Sequence, residues 1–323
     1  MLEKTPPFVA AVVHVDAVER VSPSFVRIVL AGDTLRGIGN PGRTFDQRIK
    51  LVFPAAAGRA PVLPPDTTDW YAAWLAVPEA ERGTMRTYSI REVRVEPDGT
   101  TRLVVDFVLH LVEGETGPAS SWANAAEAGH ELLLVAPRRG RFDGGGIEFD
   151  TERTGRLLLA GDETAAPAIA SILEDLPRDA VGAAFIEVPE RADALAIDAP
   201  VGIAVHWLAR AGEAHGSRLL PEVLEHLGVA PDRVRSPGAA DATRPASASS
   251  EDLLWETPSY SGAGETVDEP DAPGAAHSDD AFWIAGESAV VTKLRRHLVK
   301  DLGIPRAQVA FMGYWRRGVA MKG

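Results

Sequence analysis

The segment Arg86-Thr87-Tyr88-Ser89-Ile90-Arg91 brings three kinds of chemistry together within six positions. Read as a strand, its alternation puts Arg86, Tyr88 and Ile90 on one face and Thr87, Ser89 and Arg91 on the other. An arginine offers a planar fork of donors that suits a phosphate. A tyrosine can lay its ring against a flat heterocycle, and a serine hydroxyl can donate to a ring nitrogen. Further on, Asp106-Phe107-Val108-Leu109-His110 reads as another strand, and Gly117-Pro118-Ala119-Ser120-Ser121-Trp122-Ala123-Asn124 reads as a helix start. Small residues leave backbone N–H groups open there, and the positive end of a helix dipole favours an anion. No second histidine stands near His110 at a metal-ligand spacing, so the chain is not expected to hold a metal of its own.

These residues need a frame. From Phe8 to about Phe149 the apolar residues alternate over short spans: Val9 to Val15, Phe25 to Leu30, Ile49 to Phe53, Arg86 to Val95, Leu103 to Leu111 and Leu132 to Ala136. Turn signals at Ser22-Pro23, Gly39-Asn40-Pro41-Gly42 and Glu96-Pro97-Asp98-Gly99 separate them. The spacing predicts an antiparallel β-barrel over residues 1–150, with a short helix or ordered loop at Trp70 to Trp74. From Arg156 the rhythm changes to continuous apolar runs: Leu157 to Ala160, Ala183 to Val188, Gly202 to Leu208, Phe282 to Ala285 and Val309 to Met312. Helical stretches lie between them, including one through Leu176, Pro221 to Leu227 and Ser288 to Leu302. Buried strands alternating with helices predict an α/β domain with a parallel sheet over residues 151–323. Residues 231–280 have linker composition and read as a flexible insertion, with Leu253-Leu254-Trp255 as a short docked piece.

The chain has 323 residues, and about 150 residues per domain is consistent with two domains. It has no cysteine, which excludes disulfides, thiolate zinc sites, iron–sulfur clusters and a cysteine nucleophile. A net charge of −13 argues against a nucleic-acid binder. No run approaches the roughly 20 apolar residues of a transmembrane helix, and the N-terminus lacks the pattern of a signal peptide, so membrane insertion is not expected and a cytoplasmic location is.

The two polar elements followed by an α/β half resemble the flavin-binding part of the ferredoxin–NADP reductase superfamily. More narrowly, the chain resembles the siderophore-interacting proteins, flavin-dependent ferric-siderophore reductases. The resemblance runs through Asp46 to Pro54, Arg86 to Arg91, Asp106 to His110 with Gly117 to Ala123, Ala160 to Ile169, Trp283 to Glu287 and Gly313 to Gly318. It implies an FAD site at Arg86, Thr87, Tyr88, Ser89, Arg91, Asp106, Val108 and His110. Arg86 would face the pyrophosphate, Tyr88 the isoalloxazine and Ser89 its N5 edge. It further implies that Gly117, Pro118, Ala119 and Ser120 form the turn under the FAD phosphates. The NADPH or NADH side falls to Gly161, Asp162, Glu163, Thr164 and Ala165 with Ala285, Gly286 and Glu287, and an aromatic piece near the flavin falls to Tyr314 and Trp315.

Gly161-Asp162-Glu163-Thr164 departs from the glycine-rich dinucleotide fingerprint, and its acids would repel a pyrophosphate unless they face away. Glu187 and Glu190 could accept from ribose hydroxyls and favour NADH, whereas Arg191 could meet a 2′-phosphate and favour NADPH. Many ferric siderophores are anionic, so Lys50, Arg138, Arg139, Arg141, Arg316 and Arg317 are the candidate substrate cations. Arg295 and Arg296 read as an exposed helix face, and Trp70, Trp74 and Trp207 as core or lid aromatics. The expected reaction is electron transfer from NAD(P)H through FAD to Fe(III) in a ferric siderophore. A general flavin reductase, a reductase linked to ferredoxin as donor or partner, and a non-catalytic siderophore-binding protein are the alternatives.

Overall fold

A computed structural model describes residues 6–55, 59–64, 67, 69–111, 116–141, 146–150, 155–229, 255–257, 260–261 and 280–318. The first half builds one antiparallel sheet. Its strands are β1 (Phe8–Arg20), β2 (Phe25–Ala31), β3 (Arg48–Phe53), β4 (Thr84–Ser89), β5 (Glu92–Val95), β6 (Thr101–Val108) and β7 (Glu131–Pro137), in the order β4-β3-β7-β1-β2-β6-β5. The sheet curls into a half-barrel, and its two edge strands are consecutive in the chain.

The run Arg86 to Val95, expected as one strand, is therefore two. Ile90 N–H still donates to Gln47 O on the β3 side (2.9 Å), but Arg91 N–H already donates to Val104 O on β6 (2.9 Å). The alternation carries through this crossing because each edge supplies its own partner, so the pattern alone gives no sign of a break. Leu103 to Leu111 is likewise shorter than expected, since Leu109 N–H leaves the ladder for Ser24 O (2.8 Å). Ile28, Leu30, Leu51, Phe53, Leu103 and Phe107 fill the inside of the curl and are almost fully buried. A Leu51→Ala truncation there would cost ~2–5 kcal/mol.

The outer face at Val52, Met85, Leu133 and Val135 is covered by Leu63 and by α1 (Trp70–Ala76) through Trp74. Asp69 caps α1 with its carboxylate on Ala72 N–H (3.0 Å), and the short α2 (Glu79–Arg82) follows. The last helix of this half is α3 (Pro118–Asn124).

The second half holds β8 (Leu157–Gly161), α4 (Ala166–Asp175), β9 (Val181–Val188), β10 (Gly202–Ala209), α5 (Leu219–His226), β11 (Trp255–Thr257), β12 (Tyr260–Ser261), β13 (Ala281–Glu287), α6 (Ser288–Arg295) and β14 (Val309–Trp315). Strands β10-β9-β8-β13-β14 are parallel, and β11 and β12 extend the β14 edge antiparallel. All five residues of β8 are buried, as a central parallel strand requires. α5 and α6 cover one face of the sheet and α4 the other.

Eight consecutive residues of α4, Ala166 to Leu173, are buried. A helix apolar all round is a buried helix, and α4 lies between the parallel sheet and the barrel. Phe25, Phe45, Val108 and Phe149 join the same core as Leu159, Ile169, Ile186 and Trp283. The helix expected over Ser288 to Leu302 ends at Arg295 and continues as a wider, π-type coil over Arg296–Asp301. Most of 231–280 lies outside the described residues, but Trp255 and Glu256 pair with Met312 and Phe311, so part of that segment continues the sheet beyond β14. No helix among the described residues is long and apolar enough to cross a membrane.

Candidate functional site

The antiparallel register of β3 and β4 decides what Arg86, Tyr88 and Ser89 face. Tyr88 sits opposite Ile49 and Arg86 opposite Leu51, on the face that also carries Phe53. The Tyr88 ring packs on Phe107 (4.5 Å between centroids) and edge-on to Phe53 (6.3 Å), and burial raises its phenol pKa, so it stays a neutral hydroxyl. Arg86 is half-buried. Its guanidinium donates to Met85 O (2.7 Å) and meets no carboxylate among the described residues, and burial lowers its pKa.

Ser89 lies on the opposite face and is buried, and its hydroxyl engages no protein group among the described residues. Lys50 stands on that face too, with Nζ donating to Thr87 Oγ1 (2.6 Å). Burial, then the nearby Arg48 charge, lowers its pKa, and it has no carboxylate partner among the described residues. Among the described residues, the half-buried Arg86 guanidinium on one face and the Lys50 ammonium on the other thus have polar neighbours but no counter-charge, a state that suits an approaching anion. The diphosphate of an FAD-like group would supply the anion for Arg86, so the Arg86–Tyr88 face fits it.

The second polar element meets this face from β6 and α3. The Ser120 hydroxyl donates to Val108 O (3.2 Å) and accepts from His110 N–H (3.3 Å), which ties the start of α3 to the end of β6. Gly117 is the N-cap of α3 and, with Pro118, is exposed, while Ala119 is buried beneath them. The His110 ring is half-buried, which lowers its pKa, and it lies 5.8 Å from the Trp315 ring. β14 thereby approaches the barrel.

Arg91 and Asp106 have another engagement. Asp106 is buried and takes two bonds from Arg27 (2.7 and 2.8 Å), with Arg91 Nε at 3.7 Å. Arg91 clamps both oxygens of Glu174 on α4 (2.6 Å each). The structure thus places this pair at the junction between barrel and parallel sheet. Arg138 and Arg139 also have structural partners. Arg138 Nε donates to Pro6 O (3.0 Å), and Arg139 binds Ile38 O (3.1 and 3.3 Å) and Gly39 O (3.0 Å). Arg141 closes the same turn through its carbonyl, which accepts from Asn40 Nδ2 (3.2 Å). None of the three is brought to Lys50 by these contacts. Arg316 and Arg317 are exposed and follow Trp315 directly.

At the carboxyl ends of β8, β9 and β13 the acids face inward. Asp162 Oδ1 accepts from Thr164 N–H (2.9 Å) and Thr164 Oγ1–H (2.5 Å), and its Oδ2 from Glu287 N–H (2.7 Å) and Trp315 Nε1–H (2.8 Å). Burial, then the Glu163 charge, pushes the Asp162 pKa up to about 6. Glu163 binds Arg210 with both oxygens (2.5 and 2.9 Å) and His215 Nε2 (3.2 Å). Burial raises its pKa, but the His215 and Arg210 bonds outweigh that and hold it at about 2.

Glu187 accepts from Gly216, Arg218 and Leu219 N–H (2.7, 2.9 and 3.1 Å), and Glu287 caps α6 through Ala289 and Val290 N–H (2.8 and 3.1 Å). Glu187 is therefore committed to the start of α5 rather than open to a ribose. Glu190 is occupied in a reciprocal cap with Asp193, and Arg191 beside it is exposed. A Cβ on Gly161 would strike Ala165 Cβ and Ala285 O, so that glycine serves the close packing of β8 on the turn before α4 and on β13.

Tyr314 faces away from Trp315 and packs edge-on to Trp283 (6.3 Å), where burial raises its phenol pKa. Glu163–Arg210–His215 and Asp162–Trp315 are the site features that sequence reasoning missed. Arg210 and His215 carry no local motif, and their only signal is their position just after a strand end.

Comparison with known proteins follows the same division. The sequence model described as siderophore-interacting protein matches residues 154–318, and the one described as siderophore-interacting FAD-binding domain matches residues 14–141. The chain is 28% identical over 301 residues to the ferric vibriobactin reductase ViuB of Vibrio cholerae, covering 92% of this chain and 86% of that one. It is 34% identical over 210 residues to the NADPH-dependent ferric-chelate reductase of Escherichia coli, covering 62% and 72%. Among solved structures, a siderophore utilization protein from T. fusca superposes with a TM-score of 0.66 at 26% identity, covering 99% of this chain and 97% of that one.

Proposed function

The chain belongs to the siderophore-interacting protein family, and from that membership we propose that it reduces Fe(III) in a ferric siderophore with electrons from NADPH or NADH, passed through FAD. The observation that carries this reading lies on β3 and β4, where half-buried Arg86, on the face of Tyr88, and Lys50, on the face of Ser89, have no carboxylate partner among the described residues. We set the junction between an FAD-holding half and a nucleotide-side half near residue 150. Work in the cytoplasm suits the donor, since reduced nicotinamide nucleotides are found there.

When bound, FAD supplies the conversion from two-electron to one-electron chemistry, and the protein supplies binding and electrostatics. Arg86 would pair with the pyrophosphate, which suits a fork of donors with no carboxylate of its own. The Tyr88 ring, braced by Phe107 and Phe53, would back the isoalloxazine, and the Ser89 hydroxyl would donate at its N5 edge. Val108, His110 and Ser120 would shape the remaining wall, and the first residues of α3 would lie by the phosphates. Lys50 would receive an anionic iron chelate. Reduction to Fe(II) weakens its hold by hard oxygen ligands, so the iron leaves.

The test is anaerobic titration of the FAD-reconstituted protein with NADPH and NADH, followed at the flavin absorbance bands. Ferric chelates are then added with a ferrous trap present. Bleaching by nucleotide and recovery on adding chelate, with trapped Fe(II), is the expected result. A protein that takes up no FAD overturns the reading. Arg86→Ala should weaken FAD binding about 10–100-fold, the worth of one charge-assisted contact. Lys50→Ala should raise KM for anionic chelates several-fold and leave neutral acceptors unchanged.

A further inference from the structure

We propose that Asp162 is a positioning residue for this reaction: by anchoring the Trp315 indole it sets how far the gap between the FAD wall of the barrel and the carboxyl ends of the parallel strands is open. The inference rests on the function proposed above.

The geometry is specific to this anchor. Trp315 carries one polar hydrogen, and Asp162 Oδ2 holds it at 2.8 Å. Its ring stands edge-on to His215 (4.8 Å, 77°) on the parallel-sheet side and tilted toward His110 (5.8 Å, 40°) on the barrel side. One half-buried indole therefore spans the two halves exactly where their polar edges approach.

Two backbone features serve the anchor. The pairing of β13 with β14 runs Gly286 to Gly313 and then skips to Glu287 with Trp315. This irregularity turns Tyr314 toward Trp283 and leaves Trp315 beside Asp162. Bulges of this kind re-aim a side chain next to a functional site. Gly286 has φ +139°, and a Cβ on it would meet the Asp162 carboxylate at 2.7 Å. The glycine thus gives Asp162 the room to reach Glu287 N–H and Trp315 together.

Of the four donors on Asp162, two belong to its own turn at Thr164 and one is the main chain of Glu287. Trp315 is the partner that can rotate away, because its other holds are ring contacts. A neutral carboxyl accepts about half as strongly as a carboxylate, so proton uptake loosens the indole first. The charged groups around Asp162 are Glu163 in its own turn, Arg210 and His215 after β10, Glu187 on β9, Glu287 on β13 and His110 on the barrel. Glu163 neutralises Arg210, which leaves Asp162 with a like charge beside it and no cation bonded to it. Asp162 is then charged and holds Trp315 at neutral pH, and releases it as the pH falls through about 6.

The experiment follows the seven tryptophan indole N–H resonances of the ¹⁵N-labelled full chain from pH 7.5 to 5, with and without FAD. Trp315→Phe identifies the Trp315 signal by its loss. That signal should shift with a midpoint near pH 6, and in Asp162→Asn it should stand displaced and cease to titrate. A Trp315 signal that does not move, or one that titrates equally in Asp162→Asn, overturns the proposal. On the FAD-loaded protein, stopped-flow reduction by NADPH should show a three- to ten-fold change in apparent nucleotide Kd between pH 7.5 and 5.5. Trp315→Phe should abolish that change even if Asp162→Asn does not fold, and an unchanged profile in Trp315→Phe also overturns the proposal. Reoxidation of dithionite-reduced protein by a ferric chelate is measured separately. Failure to bind FAD or to reoxidise therefore counts against the proposed function, while the indole titration alone decides the anchor.

Discussion

Asp162 and Glu163 are neighbours in the chain, both are buried, and their pKa values move in opposite directions. Glu163 has a cation on it and is held at about 2, so it favours the folded state above its ordinary range near 4.5. That contribution fades as the pH falls from about 4.5 toward 2. Asp162 is raised to about 6, so folding favours its neutral form, and charging it between about pH 4 and 6 costs stability. Glu163→Gln removes the two-oxygen partner of Arg210 and leaves it Glu187 at 3.5 Å, and should cost ~1.5–3 kcal/mol in urea unfolding at pH 7. The variant should also lose the stability decline below about pH 4.5 that Glu163 supplies in the parent chain. At this scale the sequence showed which residues could act. Arg86, Tyr88 and Ser89 sit on the faces that their alternation predicts. It did not show partners: Arg91 meets Glu174, 83 positions away, and nothing local distinguishes Arg91 from Arg86.

The elements read well where burial alone sets the pattern and poorly where the chain changes partners. Continuous apolar β8, β9 and β13 lie where they were expected, because central parallel strands are covered on both faces. The crossing at Ile90, where one alternating run passes from the β3 edge to the β6 edge, left no mark in the residue types. The skip in the β13–β14 pairing is as silent, although Gly286 is its signature. Gly286→Ala combines an unfavourable φ with a clash on Asp162, and should destabilise by ~2–3 kcal/mol. It should also displace the Trp315 indole resonance at neutral pH. Thermal unfolding and the ¹⁵N-indole spectrum check the two effects on one sample.

On the scale of the molecule, the barrel and the parallel sheet are joined by one apolar cluster that draws residues from both and by acids that cross between them. Asp193 accepts from Ser22 Oγ–H, Ser24 N–H and Ser24 Oγ–H (2.7, 2.8 and 2.9 Å), and buried Asp46 accepts from Trp283 Nε1–H (2.9 Å). Asp175 and Ser171 of α4 add bonds to Phe45 N–H and to the Arg91 carbonyl (2.8 Å each). Such a junction should unfold with both halves in a single calorimetric transition. Asp193→Ala should lower that one transition by ~2–4 kcal/mol, the loss of several buried bonds, rather than split it in two. Two separate transitions in the parent chain would contradict this. The sequence by itself determined the order and type of the layers, because periodic burial is a local property of the chain. It also determined the small polar set on β4 that we propose holds the cofactor. Only the tertiary structure decided what each charge is for. Asp46 and Trp283 lie 237 positions apart and Asp193 and Ser22 lie 171 apart, and a buried charge takes its role from whichever partner the packing delivers.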